Sequence, residues 1–216
     1  MTQRFSRPSL QFALALALAV AGMGARPAGW LERVQSRLDG IRAFRARFIQ
    51  EYEPRAFSRH QKEGGVVTFL RPGRMRWEYE WPRPKLALCD GRRAWVYYPD
   101  DRRAEVEPQG NIGDEAPAAQ LLLGRWKLKD RFRLEGVSRA QGEVTLHLVP
   151  EKKIEGLKAL RLTVGEEDLT PHQVEVEQEE GDVLRYRFEE WTEAVAPPEA
   201  LFRFEPPAGV RLEGGP

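Results

Sequence analysis

The chain alternates apolar and polar residues through most of its length, and the alternation is cleanest between Arg74 and Trp81. Met75, Trp77, Tyr79 and Trp81 fall on one face of an extended strand there, with Arg74, Arg76, Glu78 and Glu80 on the other. A period of two over that length predicts an antiparallel strand with one covered and one solvated face. Its covered face is a broad aromatic wall. Such a wall fits an ordinary core or the floor of a cavity for an apolar ligand.

The same period recurs on both sides. Phe44, Ala46 and Phe48 alternate with Arg45, Arg47 and Ile49 in a strand running towards Tyr52. Gly64-Gly65 introduces Val66 to Leu70, and Pro72-Gly73 turns the chain into the aromatic strand. Lys85 to Cys89 and Arg93 to Tyr98 predict a hairpin across Asp90-Gly91, and Arg102 to Glu107 adds a strand. Further strands are marked by Phe132 and Leu134; by Val144, Leu146 and Leu148; by Leu160, Leu162 and Val164; by Val174 and Val176; and by Leu184, Tyr186 and Phe188. A last strand is expected at Leu201 to Phe204, before Pro206-Pro207. About ten or eleven strands at a spacing of roughly ten residues predict one large sheet or barrel.

Two segments break the period. Trp30, Leu31, Val34 and Leu38 have helical spacing, and Asp39-Gly40 ends that helix. From Gly110 to Gly124 there is no alternation: Asp114 and Glu115 can start a short helix, Pro117 suits its first turn and Gly124 can stop it. Leu121, Leu122 and Leu123 make that helix markedly apolar. A single layer of so many strands curls strongly, and its concave face needs a cover. The expected architecture is therefore mainly β: a strongly curved antiparallel sheet, an incomplete barrel, with helices as a lid over a hydrophobic cavity. Phe44, Phe48, Met75, Trp77 and Tyr79 would floor the cavity. Pro117, Leu121, Leu122 and Leu123 would form the lid, or simply plug the end of a barrel.

The N-terminus changes the compartment. Arg4 and Arg7 precede an apolar run from Phe12 to Val20, followed by the small residues Ala21, Gly22, Gly24 and Ala25. This predicts a cleaved secretory signal over residues 1–25, with its exit between 21 and 28, because the run is short for a bilayer span. One domain over 26–216 remains, in the periplasm. The single cysteine, Cys89, lies far from that exit and on a strand, which reads as an inert buried thiol in a chain not itself lipidated. A formal net charge of +1 gives no electrostatic footprint for nucleic acid.

Catalytic chemistry is poorly supported, and the chain reads as a non-enzyme without a cofactor. His60, His147 and His172 are far apart and lack metal-ligand spacing. Glu179-Glu180 and Glu189-Glu190 are adjacent residues, which face opposite sides of a strand. Arg71 stands apart, because it borders the mouth of the aromatic strand. It is either a solvated turn arginine or a latch whose five donors hold backbone carbonyls of a lid.

These residues together resemble the periplasmic outer-membrane lipoprotein carrier family, the LolA-like proteins. The resemblance is carried by an opening helix with Leu38-Asp39; Phe44, Ala46, Phe48 and Gln50; Gly64-Gly65 leading to Arg71-Pro72 and Trp77; and Leu88 to Gly91 with Trp95, Tyr97 and Pro99. Pro117 and the closing Phe202, Phe204, Pro206-Pro207 and Gly209-Val210 complete it. It implies a monomeric carrier that takes triacylated lipoproteins from an inner-membrane ABC transporter to an outer-membrane receptor. It also implies that the residue at Arg71 holds the lid shut and that the residue at Met75 faces the cavity. Relatives of this fold also include lipid-sensing or lipid-shuttling modules, which is the alternative reading.

Overall fold

A computed structural model describes residues 27–56, 60–108, 117–193 and 197–214; the predicted signal segment lies outside them. Helix α1 (Pro27–Gly40) leads into β1 (Ala43–Glu53), β2 (Gln61–Leu70), β3 (Arg74–Trp81), β4 (Lys85–Asp90), β5 (Arg93–Tyr98) and β6 (Arg103–Pro108). Two short helices follow, α2 (Pro117–Leu122) and α3 (Leu128–Arg131). Then come β7 (Phe132–Ala140), β8 (Glu143–Pro150), β9 (Leu157–Gly165), β10 (Pro171–Gln178) and β11 (Val183–Thr192), a 3-10 turn (Glu199–Phe202) and β12 (Arg211–Glu213).

All strands join one twelve-stranded sheet in the order β12-β6-β5-β4-β3-β2-β1-β11-β10-β9-β8-β7. It consists of two meanders, β1 to β6 and β7 to β11, sewn together where β1 pairs antiparallel with β11. The helices α2 and α3 sit in the chain where the first meander gives way to the second.

Several expectations are corrected. The sheet has twelve strands rather than ten or eleven, and it is not wholly antiparallel, because β12 pairs parallel with β6. The strand expected at Leu201 to Phe204 is the 3-10 turn and an extended tail. Its apolar residues serve a different purpose: Phe202 is buried against Ala43 and Leu70 on the outside of the sheet. The β4–β5 turn is Gly91-Arg92, one residue later than expected. The Asp90 carboxylate accepts from the Arg92 and Arg93 amides, each at 2.7 Å, and so caps that turn. The helix start expected at Asp114 and Glu115 lies outside the described residues.

Register gives the sheet two distinct faces. Phe44 stands opposite Phe69, which stands opposite Met75; Val67 stands opposite Trp77; Phe48 stands opposite Phe188. Paired residues share a face, so these side chains form one continuous inner surface, extended by Leu146, Leu160, Leu162 and Val174. On the outer face, β9 to β11 and β1 carry charges in a ladder: Arg185 binds Glu175, Glu53 and Glu51, and Arg161 binds Glu175 and Glu177. The outer face of β3 to β5 is instead roofed by the C-terminal segment, where the Phe204 ring lies 5.3 Å from both Trp95 and Tyr97.

Gly64 and Gly65 are placed by sterics. The β2–β3 register shifts between them, setting Gly64 opposite Trp81 and Gly65 opposite Tyr79. A Cβ at Gly65 would lie 1.8 Å from the Glu78 carbonyl oxygen, and one at Gly64 would lie 2.2 Å from the Trp81 ring. This irregularity turns Trp81 out of the aromatic row, and it is 38% exposed. Gly65→Ala is expected to lower stability by roughly 2–3 kcal/mol through backbone displacement. Gly29→Ala, within α1 and with nothing within 4 Å of the new methyl, is expected to raise it by about 0.5–1 kcal/mol. Urea denaturation midpoints of the two variants check both signs.

Candidate functional site

The inner face is covered by the helices. Trp30, Val34 and Leu38 of α1, Leu121 and Leu122 of α2 and the following Leu123 join a single buried cluster with Phe44, Phe48, Met75 and Trp77. Tyr79 packs against its edge, and Pro117 begins α2 as a buried residue. The structure thus brings together the residues expected in the cavity and those expected in the lid. Phe69 and Trp191 belong with them, although the sequence pattern singles out neither. Phe69 stacks on Phe44 at 4.7 Å and Trp191 stacks on it at 3.8 Å. Trp191 breaks the alternation of Leu184, Tyr186 and Phe188. A positive φ of 51° at Glu190, next to a register shift in the β1–β11 pair, swings it to the inner face.

Arg71 follows β2 and lies beneath the covering helices. Its Nε and Nη2 donate to the Leu122 carbonyl at 3.2 and 3.0 Å, and its Nη1 donates to the Leu38 carbonyl. Both carbonyls belong to the last turns of their helices, and that of Leu38 also accepts from the Ile41 amide at 3.3 Å. One guanidinium therefore ties the ends of α1 and α2 to the sheet. Partial burial pulls its pKa below the usual arginine range, and the nearby Asp39 carboxylate opposes that pull.

Gly124 makes room for this contact. It has φ +72°, and a Cβ on it would lie 2.8 Å from the Arg71 Cζ. The glycine is a backbone turn and a seat for the guanidinium at once, whereas sequence alone shows only a helix stop. Gln35 is a second concealed element. Buried on α1, its Oε1 accepts from the Leu128 amide at the start of α3, while its Nε2 donates to Asp39 at 2.8 Å. Lys127 also binds Asp39. Arg37 closes the far side of α1 by donating to the Asp168 carbonyl at 3.0 Å and to Glu193.

The aromatic interior is anisotropic. Phe48 meets Trp77 edge-on at 4.6 Å and Tyr79 edge-on at 4.9 Å. Along β3 the environment changes from buried Met75 and Trp77 to part-buried Tyr79. Tyr79 donates its hydroxyl to Gln50 Oε1 at 2.8 Å. Burial pushes the Tyr79 and Tyr186 phenols above their ordinary range, so both are protonated at neutral pH.

Cys89 stands opposite Met75 on the same inner face and is 1% exposed. Burial pushes its thiol up to about 12, so it is a poor nucleophile while the cover is in place. The histidines remain scattered: His60 approaches Glu53 at 3.6 Å, His147 meets Ser138 at 2.9 Å and His172 meets Glu143 at 2.8 Å.

Comparison with known proteins adds the following. The family model described as outer membrane lipoprotein carrier protein LolA matches residues 39–205. An outer-membrane lipoprotein carrier protein of Dechloromonas aromatica (strain RCB) is 30% identical over 187 residues, spanning 87% of this chain and 88% of its own length. Another, from Chromobacterium violaceum, is 27% identical and spans 94% of this chain and 98% of its own length. Among solved structures, an uncharacterized conserved protein from Thermus thermophilus superposes with a TM-score of 0.55 at 17% identity, over 87% of this chain and 99% of that one. That likeness speaks to the fold alone.

If Arg71 and Gly124 act as one unit, removing either should loosen the cover to a similar extent. Arg71→Leu and Gly124→Ala are each expected to speed labelling of Cys89 by a neutral thiol reagent about tenfold, and the double variant should add little. Multiplicative effects, or no change in either variant, would show that the two residues act separately.

Proposed function

The chain belongs to the LolA family of outer-membrane lipoprotein carrier proteins, and from that premise we propose how it holds and releases cargo. Phe44, Phe48, Met75, Trp77 and Tyr79 form the surface that receives acyl chains. Pro117, Leu121, Leu122 and Leu123 are the lid, and Arg71 is the latch. The observation that carries this reading is the hold of Arg71 on the end carbonyls of both covering helices. The family is one of carriers, so the residues are arranged for binding rather than for catalysis.

The reading includes a strongly curled, incomplete barrel. Trp77 on β3 and Tyr186 on β11 are separated by β2 and β1, which in a flat sheet would set the rings about 14 Å apart. Their centroids are 5.4 Å apart. A bend between β3 and β11 accounts for that contact and makes the aromatic surface concave.

The energetics constrain the cycle. Burying an acyl chain contributes about 0.8 kcal/mol per methylene, on the order of 12 kcal/mol for a sixteen-carbon chain. Three fully buried chains would exceed the roughly 18–21 kcal/mol at which non-covalent affinity saturates. A carrier that held them all so tightly could not let them go. In the closed form the rings contact one another and the lid leucines, so loading exchanges these contacts for acyl contacts and the net gain is smaller. We therefore assign loading to an inner-membrane ABC transporter that supplies energy, and release to an outer-membrane receptor with a better cavity. The carrier works as a periplasmic monomer exported by its signal segment, and its cargo is triacylated lipoprotein.

Mass spectrometry of what co-purifies with the periplasmic protein tests this directly. Intact triacylated lipoprotein is the expected finding, and free lipid alone would favour a lipid shuttle. Met75→Glu places a carboxylate beside Phe69 and Cys89 and is expected to abolish cargo acceptance, while Met75→Leu retains it. Normal co-purification with Met75→Glu would remove Met75 from the binding surface. Arg71→Leu is expected to fold and to load once but to slow over repeated rounds. Transfer at the unaltered rate over many rounds would exclude the latch.

A further inference from the structure

The interior is apolar under the helices and becomes polar at the opposite end of β3. Gln50 on β1 stands opposite Tyr186 on β11, and Tyr79 reaches Gln50 from β3. The Gln50 Oε1 is engaged by Tyr79, which leaves its amide hydrogens directed elsewhere. The Tyr186 hydroxyl has no hydrogen-bonding partner among the described residues, although its ring is packed against the core and meets Trp77. Lys85 sits 4.0 Å above the Tyr79 ring and binds Glu63 at 2.7 Å. Hydrogen-bond donors are thus gathered at one rim of an aromatic surface, and the hydroxyl of part-buried Tyr186 is open to a further bond.

We propose that Tyr186 and Gln50, the latter oriented by Tyr79, form a polar subsite for the ester carbonyls that join acyl chains to the cargo's glyceryl group. This rests on the carrier reading above and adds to it a recognition element distinct from the apolar floor. Acyl chains lying on Phe48 and Trp77 end in ester groups that lose water where the chains are covered. Those carbonyls accept hydrogen bonds and donate none, so they complement hydroxyl and amide donors at that boundary. The subsite reads where a chain ends, whereas the aromatic floor tolerates any alkyl chain. It also fixes the depth of insertion, leaving the polypeptide beyond the Lys85–Glu63 pair.

The test measures displacement of a solvatochromic naphthalene fluorophore from the purified protein. One competitor is a short peptide whose N-terminal cysteine carries a dipalmitoylglyceryl thioether. The second is the same peptide with two hexadecyl ethers, which lacks only the carbonyls. The ester is expected to bind about tenfold more tightly than the ether, as one or two hydrogen bonds to desolvated donors would give. Tyr186→Phe and Gln50→Leu should each shrink that ratio towards one while leaving ether affinity unchanged. No ester preference in the unaltered protein, or a ratio unmoved by either substitution, overturns the subsite while leaving the carrier reading intact. Failure of both competitors to displace the fluorophore removes the acyl surface itself, and the subsite with it. A dipalmitoyl phospholipid as third competitor identifies the source of the ester: equal preference makes the subsite general for diacylglyceryl esters, and preference for the peptide alone ties it to lipoprotein.

Discussion

A single guanidinium bridges the ends of the two helices that cover the inner face of this sheet. It reaches the Leu38 carbonyl near the end of α1 and the Leu122 carbonyl at the end of α2. Hydrogen bonds from a charged donor contribute roughly 1.5–3 kcal/mol each, and Arg71 supplies them to Leu122 and Leu38 together. Opposing them is the loss of hydration, which lowers the pKa of the group. The guanidinium also stays part-exposed, and screening by water reduces what each bond is worth. The balance is a favourable hold of modest strength. A hydrocarbon at this position would take the guanidinium donors away from both carbonyls.

The two faces of the sheet are finished in different ways. On the outer face, Phe202 is buried against Ala43 and Leu70, and Phe204 lies on Trp95 and Tyr97. That roof is apolar and continuous with the strands it covers. Next to it, Arg185 and Arg161 tie several strands together through carboxylates. The inner cover is held at its rim by polar contacts: Arg71 at one corner, Gln35 and Lys127 on Asp39 at another, and Arg37 on Glu193 at a third. Polar rim contacts can be exchanged for water on opening at little cost, whereas a buried aromatic cannot.

The sequence disclosed what is periodic. Alternation at Met75, Trp77 and Tyr79 and at Phe44 and Phe48 assigned these residues to one face, because side chains on a strand have no other choice. Arg71 was noticeable for its position beside that face, but its partners lie 33 and 51 residues away, and no local pattern encodes them. Gly124 was visible as a helix stop, and nothing nearby shows that a guanidinium would lie against it. Trp191 was hidden by a register shift, which breaks the very alternation used to read strands. Leu201 to Phe204 looks like a strand because its apolar residues are real, yet they cover a sheet instead of joining it. The parallel β12 was unreadable, since a strand of three residues carries no period.

An aromatic interior suits a carrier in a way that an aliphatic one would not. Rings on rigid strands keep their shape when a neighbour withdraws: Phe48 remains braced edge-on by both Trp77 and Tyr79. They have few rotatable bonds, so opening the cover does not let the floor collapse into the space vacated. The leucines at 121 to 123 have aliphatic side chains that adapt their shape more readily than rings. On the proposed lid reading, a floor that holds its form while its cover leaves presents the same surface on every round, and what varies is only which apolar groups lie on it. On that same reading, the polar contacts of Arg71 decide when the cover's own leucines return.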